Sequence, residues 1–383
     1  MSELVSRMRR FGTTIFAEMS ALAVEHDAVN LGQGFPDTAG PQPVLDAAIE
    51  AISAGRNQYP PGPGVPQLRE AIAAHQRRWY GLDWDVNSEV LVTAGATEAL
   101  VAAILALCEP GDELIAFEPF YDAYDADAVL AQATLVPVRL EWPDFALDSD
   151  RLASAITPRT RAILVNTPHN PTGHVFSRAE LEQIAELAIA HDLIVITDEV
   201  YEHLAFDEHR HIPMASLPGM RDRTITISSG GKTFATTGWK VGWVTGSAEL
   251  VSAVMAVKQW LTYVNAGPLQ EGIAVGLALP DADFAAIRAQ LRSGRDLLVP
   301  ALADAGFTVA PVNGGYFAVA DAAPLGVTDA AQLCRELPER IGVAAVPLSA
   351  FYRDAAGAKS LVRFAFCKRP EVLHEAATRL RQL

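Results

Sequence analysis

With 383 residues, half of them hydrophobic, and a formal charge of −16, the chain has enough apolar material for a large core, which excludes a disordered polymer. That acidic balance repels nucleic acid and anionic membrane, so neither is an expected partner and small molecules are. The cysteines Cys108, Cys334 and Cys367 are odd in number and far apart, which argues against a disulfide framework or a zinc site and fits a reducing cytoplasm.

In chain order, the start MSELVSRMRRFG lacks the apolar centre of a signal peptide, and no apolar run reaches the roughly 18 residues of a membrane helix. A cytoplasmic location is expected. Residues 30 to 65 are rich in glycine and proline (LGQGFPDTAGPQP, NQYPPGPGVP). Seven strand-like runs follow: EVLVTAG (89–95), DELIAFEP (112–119), TLVPVRL (134–140), AILVNTP (162–168), LIVITDE (193–199), TITISSG (224–230) and KVGWVTG (240–246). Helical stretches separate them, the pattern of α/β units whose strands are buried on both faces. One such helix, SRAELEQIAELAIAH, opens with Ser177 and Glu180 at capping-box spacing. Beyond about residue 280, helices mix with isolated strands such as GYFAVA and VRFAF. This predicts a large central domain over 46–280 and a smaller one from 1–45 and 281–383.

Ligands of open α/β sheets sit outside the carboxyl ends of the strands, and those ends carry chemistry. Gly95, Ala96 and Thr97 fall at a helix start, where free N–H groups favour an anion, though a plain cap fits equally. Asn170 in HNPTG lies between residues whose prolines restrict the backbone; the alternative is a simple turn. Asp198 ends an apolar strand, with Tyr201 just beyond. A buried carboxylate there calls for a cationic partner, structural or functional. Lys232 sits among glycines and hydroxyls in SSGGKTFATTGWKVGW. Gly231, Lys232 and Thr233 spell the end of a phosphate loop, but Thr226 replaces its first glycine. The other chemistry open to such a lysine is a Schiff base. Arg363, between Val362 and Phe364, reads as a partly buried arginine with a definite partner. The histidines show no H-E-x-x-H spacing, so no metal is expected.

Asn170 in NPTG, Asp198 and Tyr201 in TDEVY, Lys232 in SSGGKT and Arg363 in VRFAF resemble, in order and spacing, the class I pyridoxal-phosphate aminotransferases of fold type I. The resemblance runs from GQGFPD (32–37) to RFAFCK (363–368). It extends to the kynurenine/glutamine aminotransferase-like subgroup, and within it to actinobacterial N-succinyldiaminopimelate aminotransferases, through FAEMSALA, NQYPPGPG and DEVYEHL. It implies a seven-stranded, mostly parallel sheet, pyridoxal 5'-phosphate as cofactor, and a homodimer with shared active sites. Lys232 would then be the Schiff-base lysine, its pKa depressed by Lys240 and partial desolvation, and Asp198 the partner of the pyridine nitrogen. Asn170 and Tyr201 would donate to the ring hydroxyl oxygen, and Tyr121 would stack on the ring. The phosphate would meet Gly95, Ala96, Thr97, Ser229, Lys240 and, from the other subunit, Tyr59. Arg363, with Gly34 and Asn170, would hold the substrate carboxylate, while Tyr263 would line the neighbouring subunit's pocket beside Leu31.

The implied reaction moves an amino group between an L-amino acid and a 2-oxo acid, with N-succinyl-LL-diaminopimelate and 2-oxoglutarate as the expected pair. The alternative is a kynurenine, glutamine or methionine aminotransferase, with or without cysteine-conjugate β-lyase activity, since one cofactor and one lysine serve several reactions. A ligand-sensing regulator built on the same domain would need a DNA-binding module, which the acidic charge opposes.

Overall fold

A computed structural model describes residues 5–12 and 14–383. All seven predicted runs form strands, and they belong to one sheet. They are β1 (Val90–Thr93), β2 (Glu113–Glu118), β3 (Thr134–Arg139), β4 (Thr160–Asn166), β5 (Ile194–Asp198), β6 (Thr224–Ser229) and β7 (Gly242–Thr245). Their order is β1-β7-β6-β5-β4-β2-β3, and β7 alone runs against its neighbours.

Successive side chains of a strand point to opposite faces, and the core divides accordingly. Leu114, Ala116, Leu164 and Ile196 pack beneath the helices Gly95–Leu107 and Ala248–Leu261. Ile115, Phe117, Ile163 and Val195 face the other way, into an apolar cluster that continues to the C-terminal third. With both faces covered, no residue of β2 is exposed, which is why these strands read as continuous apolar runs.

The stretches GYFAVA and VRFAF, predicted as isolated, pair with each other. In chain order, β8 (Thr308–Val309), β9 (Phe317–Asp321), β10 (Val346–Pro347) and β11 (Leu361–Ala365) form an antiparallel sheet ordered β10-β11-β9-β8. Val319 lies opposite Arg363 in that register. The capping box of helix Arg178–Ala190 forms as the sequence implied.

This topology brings the informative strand ends together. The carboxyl ends of β1, β4, β5 and β6 share one edge of the sheet, and β7, running the other way, begins there. Asn166 pairs with Asp198, and Ser229 with Gly242, so the loops after β1, β4, β5 and β6 and the entry to β7 all open onto one site.

Candidate active site

Of the residues selected from the sequence, Gly34, Gly95, Ala96, Thr97, Tyr121, Asn170, Asp198, Tyr201, Ser229, Lys232, Lys240 and Arg363 line one cavity of about 340 Å³. Tyr59 and Tyr263 do not: they are 80% and 57% exposed and pack on each other, ring centroids 5.6 Å apart. Leu31 is a correction. It is fully buried in the core because the chain after Asn30 pairs with the segment at 344, Leu31 N–H bonding to the Ala344 carbonyl at 2.9 Å. Trp239 is half-buried against the core.

One end of the cavity is built for an anion. Gly95 has φ +76°, a turn only glycine makes without strain, and it opens a thirteen-residue helix with no side-chain cap. The free N–H groups of that first turn therefore have a ligand's worth of donor capacity. Lys240 reaches the same place, with Nζ 3.5 Å from Thr97 Oγ1.

Lys232 rides on the short helix Gly230–Thr233, whose start is capped by Ser229 accepting from Gly231 N–H. Its Nζ lies 3.0 Å from the Tyr316 hydroxyl. Burial lowers its pKa to about 8; Arg363 and then Lys240 add to the effect, while Cys367 and Asp198 oppose it. The sequence suggests Lys240 and partial desolvation together, and desolvation is the larger cause. Lys240 contributes less, because it is exposed and sits at the helix start while desolvation acts on Lys232 directly.

Asp198 is buried at the end of β5. Burial raises its pKa, against the pull of the Tyr124 hydroxyl at 2.6 Å, Val200 N–H at 3.4 Å and the charge of Lys232. Asn166 supports both neighbours: its Nδ2 donates to the Asp198 carbonyl at 2.8 Å and its Oδ1 accepts from Asn170 N–H at 2.7 Å.

Arg363 is only 2% exposed. Nη1 donates to Asn170 Oδ1 at 3.0 Å and Nη2 to the Gly32 carbonyl at 2.9 Å, while Nε has no partner. Its guanidinium lies 3.9 Å from the Phe317 ring centre, with Phe351 and Phe16 also in cation–π range. Burial lowers its pKa to about 10. A buried guanidinium whose hydrogen-bond partners are neutral and whose Nε is a free donor is poised for a carboxylate.

A covalently competent lysine between an anion cradle and a buried carboxylate, at the strand ends of this sheet, defines a fold type I enzyme of the pyridoxal-phosphate-dependent class. Residues 26–380 match the family model described as aminotransferase class I and II, and the chain belongs to that family. It is an aminotransferase, acting on amino acids and 2-oxo acids. It is 55% identical, over 98% of its length and 97% of the relative, to the probable N-succinyldiaminopimelate aminotransferase DapC of Mycobacterium tuberculosis. The solved structure of N-succinyldiaminopimelate aminotransferase from that organism matches with a TM-score of 0.97 at 54% identity, covering 99% of both chains. The methionine aminotransferase of Escherichia coli is 40% identical, with 99% of this chain and 98% of that one covered. Rat kynurenine–oxoglutarate transaminase 3 is 37% identical, with 97% and 88% covered.

The residues present fit pyridoxal phosphate. The uncapped helix start with Lys240 suits the phosphate, and a buried carboxylate whose protonation is favoured by burial suits a ring nitrogen that brings a positive charge.

Sequence reasoning missed Tyr124 and Tyr316, which hold Asp198 and Lys232, and the lining residues Phe16, Gln33, Thr237 and Phe317. Tyr124 stands three residues after Tyr121 in EPFYDAY, across the turn that enters the helix Ala123–Leu130, and a second tyrosine so close to the first could have flagged it. Among the described residues, His75, Glu202 and His203 are close enough together to hold a metal. They lie outside the cavity lining. The two His Nε2 atoms are 2.7 Å apart, a hydrogen-bond distance, whereas a shared tetrahedral zinc would spread them to about 3.3 Å. The three cysteines are free and buried. Among the described residues no helix is long and apolar enough to cross a membrane.

Proposed function

We propose that this aminotransferase moves the amino group of N-succinyl-LL-diaminopimelate to 2-oxoglutarate, in the cytoplasm, as a homodimer. The observation that carries the substrate is the 55% identity with mycobacterial DapC, spread over 98% of the chain. Support for the dimer comes from Tyr59 and Tyr263, large aromatic residues left exposed and packed on each other, Tyr263 being two residues along the chain from Asn265, whose Nδ2 donates to the Lys240 carbonyl at the cavity. In this reading, residues 46–280 form the larger domain, and 1–45 with 281–383 the smaller.

Each residue then has a task. Gly95, Ala96, Thr97, Ser229 and Lys240 hold the cofactor phosphate, joined by the partner's Tyr59. Tyr121 stacks on the ring, Asn170 and Tyr201 donate to its hydroxyl oxygen, and Asp198 keeps a proton on its nitrogen. When bound, the cofactor supplies the electron sink that stabilises a substrate carbanion. Lys232 takes the proton from the substrate α-carbon and later returns one, for which its amine must be neutral; a pKa of about 8 makes a useful fraction neutral near physiological pH. Arg363 fixes the α-carboxylate by charge-assisted hydrogen bonds, with Asn170 and Gly34 beside it, so that the Cα–H bond is presented to Lys232. The partner's Tyr263 closes the far side of the pocket.

A second reading has an observation of its own. The cavity lining holds Phe16, Tyr121 and Phe317 and no arginine besides Arg363, which suits methionine or kynurenine as well as a substrate with distal carboxylates. The experiment that separates the readings compares kcat/KM for N-succinyl-LL-diaminopimelate with those for methionine, kynurenine and glutamine. The first reading expects the succinylated substrate to lead by at least about tenfold, roughly 1.4 kcal/mol in transition-state binding. A tenfold lead for any of the others reverses the order.

A further inference from the structure

A lysine that carries a proton between two positions has to be held while it is free, and its lone pair has to face the substrate. We propose that the Tyr316 hydroxyl and the Gly34 carbonyl form an acceptor pair that holds the free Lys232 amine and aims its lone pair into the cavity. Tyr316 is thereby a positioning residue for proton transfer. The inference rests on Lys232 being the proton-carrying amine.

The hydrogen-bond directions follow from counting protons. Tyr316 has one hydroxyl hydrogen and two oxygens facing it, the Gly34 carbonyl at 2.6 Å and the Tyr201 hydroxyl; the carbonyl can only accept, while Tyr201 has a hydrogen of its own to give, so the Tyr316 hydrogen points to Gly34. The Tyr316 oxygen is left as an acceptor for Lys232 Nζ at 3.0 Å, and the Gly34 carbonyl offers a second, longer contact at 3.5 Å. A neutral amine has two hydrogens and one lone pair. With both hydrogens drawn to the Tyr316 and Gly34 side, tetrahedral geometry turns the lone pair the opposite way. Tyr316 takes no proton itself: its hydroxyl is committed to Gly34, and burial keeps it neutral far above physiological pH.

The acceptor pair is rigid. Tyr316 is fully buried, packed edge-on to Tyr201 at 5.0 Å and to Phe317 at 4.8 Å. A side chain at Gly34 would collide with the Phe317 ring, so only glycine brings this carbonyl so near. Phe317 also lies against the Arg363 guanidinium, so the ring that seats the Gly34 loop also backs the carboxylate-binding residue.

The test is Tyr316→Phe, which keeps the ring packing and removes the acceptor. In full-length protein freed of cofactor, the pH midpoint for acetylation of Lys232 by acetic anhydride, followed by peptide mass spectrometry, should fall by about one unit, because an acceptor favours the ammonium form. In the loaded enzyme, kcat should fall roughly tenfold with KM little changed, and the isotope effect with α-deuterated substrate should rise as proton transfer slows. An unchanged midpoint, or a loss confined to KM with an unchanged isotope effect, overturns the proposal. If the phenylalanine variant does not fold, 3-fluorotyrosine at position 316 weakens the acceptor in place and should move the same midpoint in the same direction by less. Lys232→Ala run in parallel separates the two levels: if it abolishes turnover while Tyr316→Phe changes nothing, this inference fails alone, and if Lys232→Ala remains active, the reading beneath it fails.

Discussion

The cavity at the strand ends and the aromatic rim of Tyr59 and Tyr263 are held in opposite ways. In the cavity, the side chains are fixed: Asp198 by Tyr124, Arg363 by Asn170 and the Gly32 carbonyl, Lys232 by Tyr316. At the rim it is the backbone that is fixed. Lys258 Nζ donates to the Gly62 and Tyr263 carbonyls at 3.0 and 2.8 Å, and Tyr263 is held at φ +64°, while both tyrosine rings stand in the open. The cavity thus orders its side chains, whereas the two rings at the rim are left uncovered by the described residues.

The strongest way to break this contrast is Lys232→Ala. Turnover should fall roughly 10⁴-fold, since among the described residues the other lysine of the cavity lining, Lys240, reaches instead toward Thr97 at the helix start, while cofactor still binds through its phosphate and ring contacts. Borohydride reduction of the parent should fix the cofactor on the peptide containing Lys232; label on Lys240 would move the site.

Next comes stability. Burial lowers the folded-state pKa of Lys232 from 10.5 to about 8, so between those values the unfolded chain binds more protons and stability rises with pH. Below about pH 8 the whole cost of the buried ammonium is carried. In cofactor-free protein at about pH 7, Lys232→Met should therefore be more stable than the parent by up to about 3 kcal/mol, with the gap closing as pH climbs from 8 to 10.5. Urea unfolding across that range measures it.

Arg363→Lys should reduce kcat/KM roughly 30-fold, about 2 kcal/mol, because a point charge cannot reproduce the guanidinium fork or its stacking on Phe317. An effect below threefold would place the substrate carboxylate elsewhere.

The smallest effect tests the rim. Tyr59→Phe should weaken cofactor binding by roughly tenfold, the worth of one hydrogen bond to a charged group. Hybrids that mix Tyr59→Ala with Lys232→Ala chains should recover activity through the one site that draws both intact residues. No recovery after verified subunit exchange would leave each site belonging to a single chain.

How much of this could be read beforehand follows the same division. The seven strands were legible because both faces of the sheet are buried, so β-branched runs stand out from the amphipathic helices between them. Lys232, Asp198 and Arg363 were legible because charged residues are unusual next to such runs. Tyr316 was not: in GGYFAVA it looks like any core aromatic, and its role depends on Gly34, 282 residues earlier in the chain. The same holds for Tyr124, whose bond to Asp198 spans 74 residues. Leu31, which the resemblance puts at the pocket, lies instead in the core, where backbone pairing at 344 holds it.

The cavity lining sets Lys232, Lys240 and Arg363 against one carboxylate, Asp198, inside a chain of charge −16. An anionic substrate therefore meets repulsion from afar and attraction only at close range. At physiological ionic strength the screening length is about 8 Å, so the remote charges are silenced and the cavity decides the last few ångströms of approach. Diluting the salt lengthens the reach of the acidic surface and slows encounter. The KM for a dicarboxylic 2-oxo acid should accordingly rise at low ionic strength, the reverse of what a lone arginine–carboxylate contact would give.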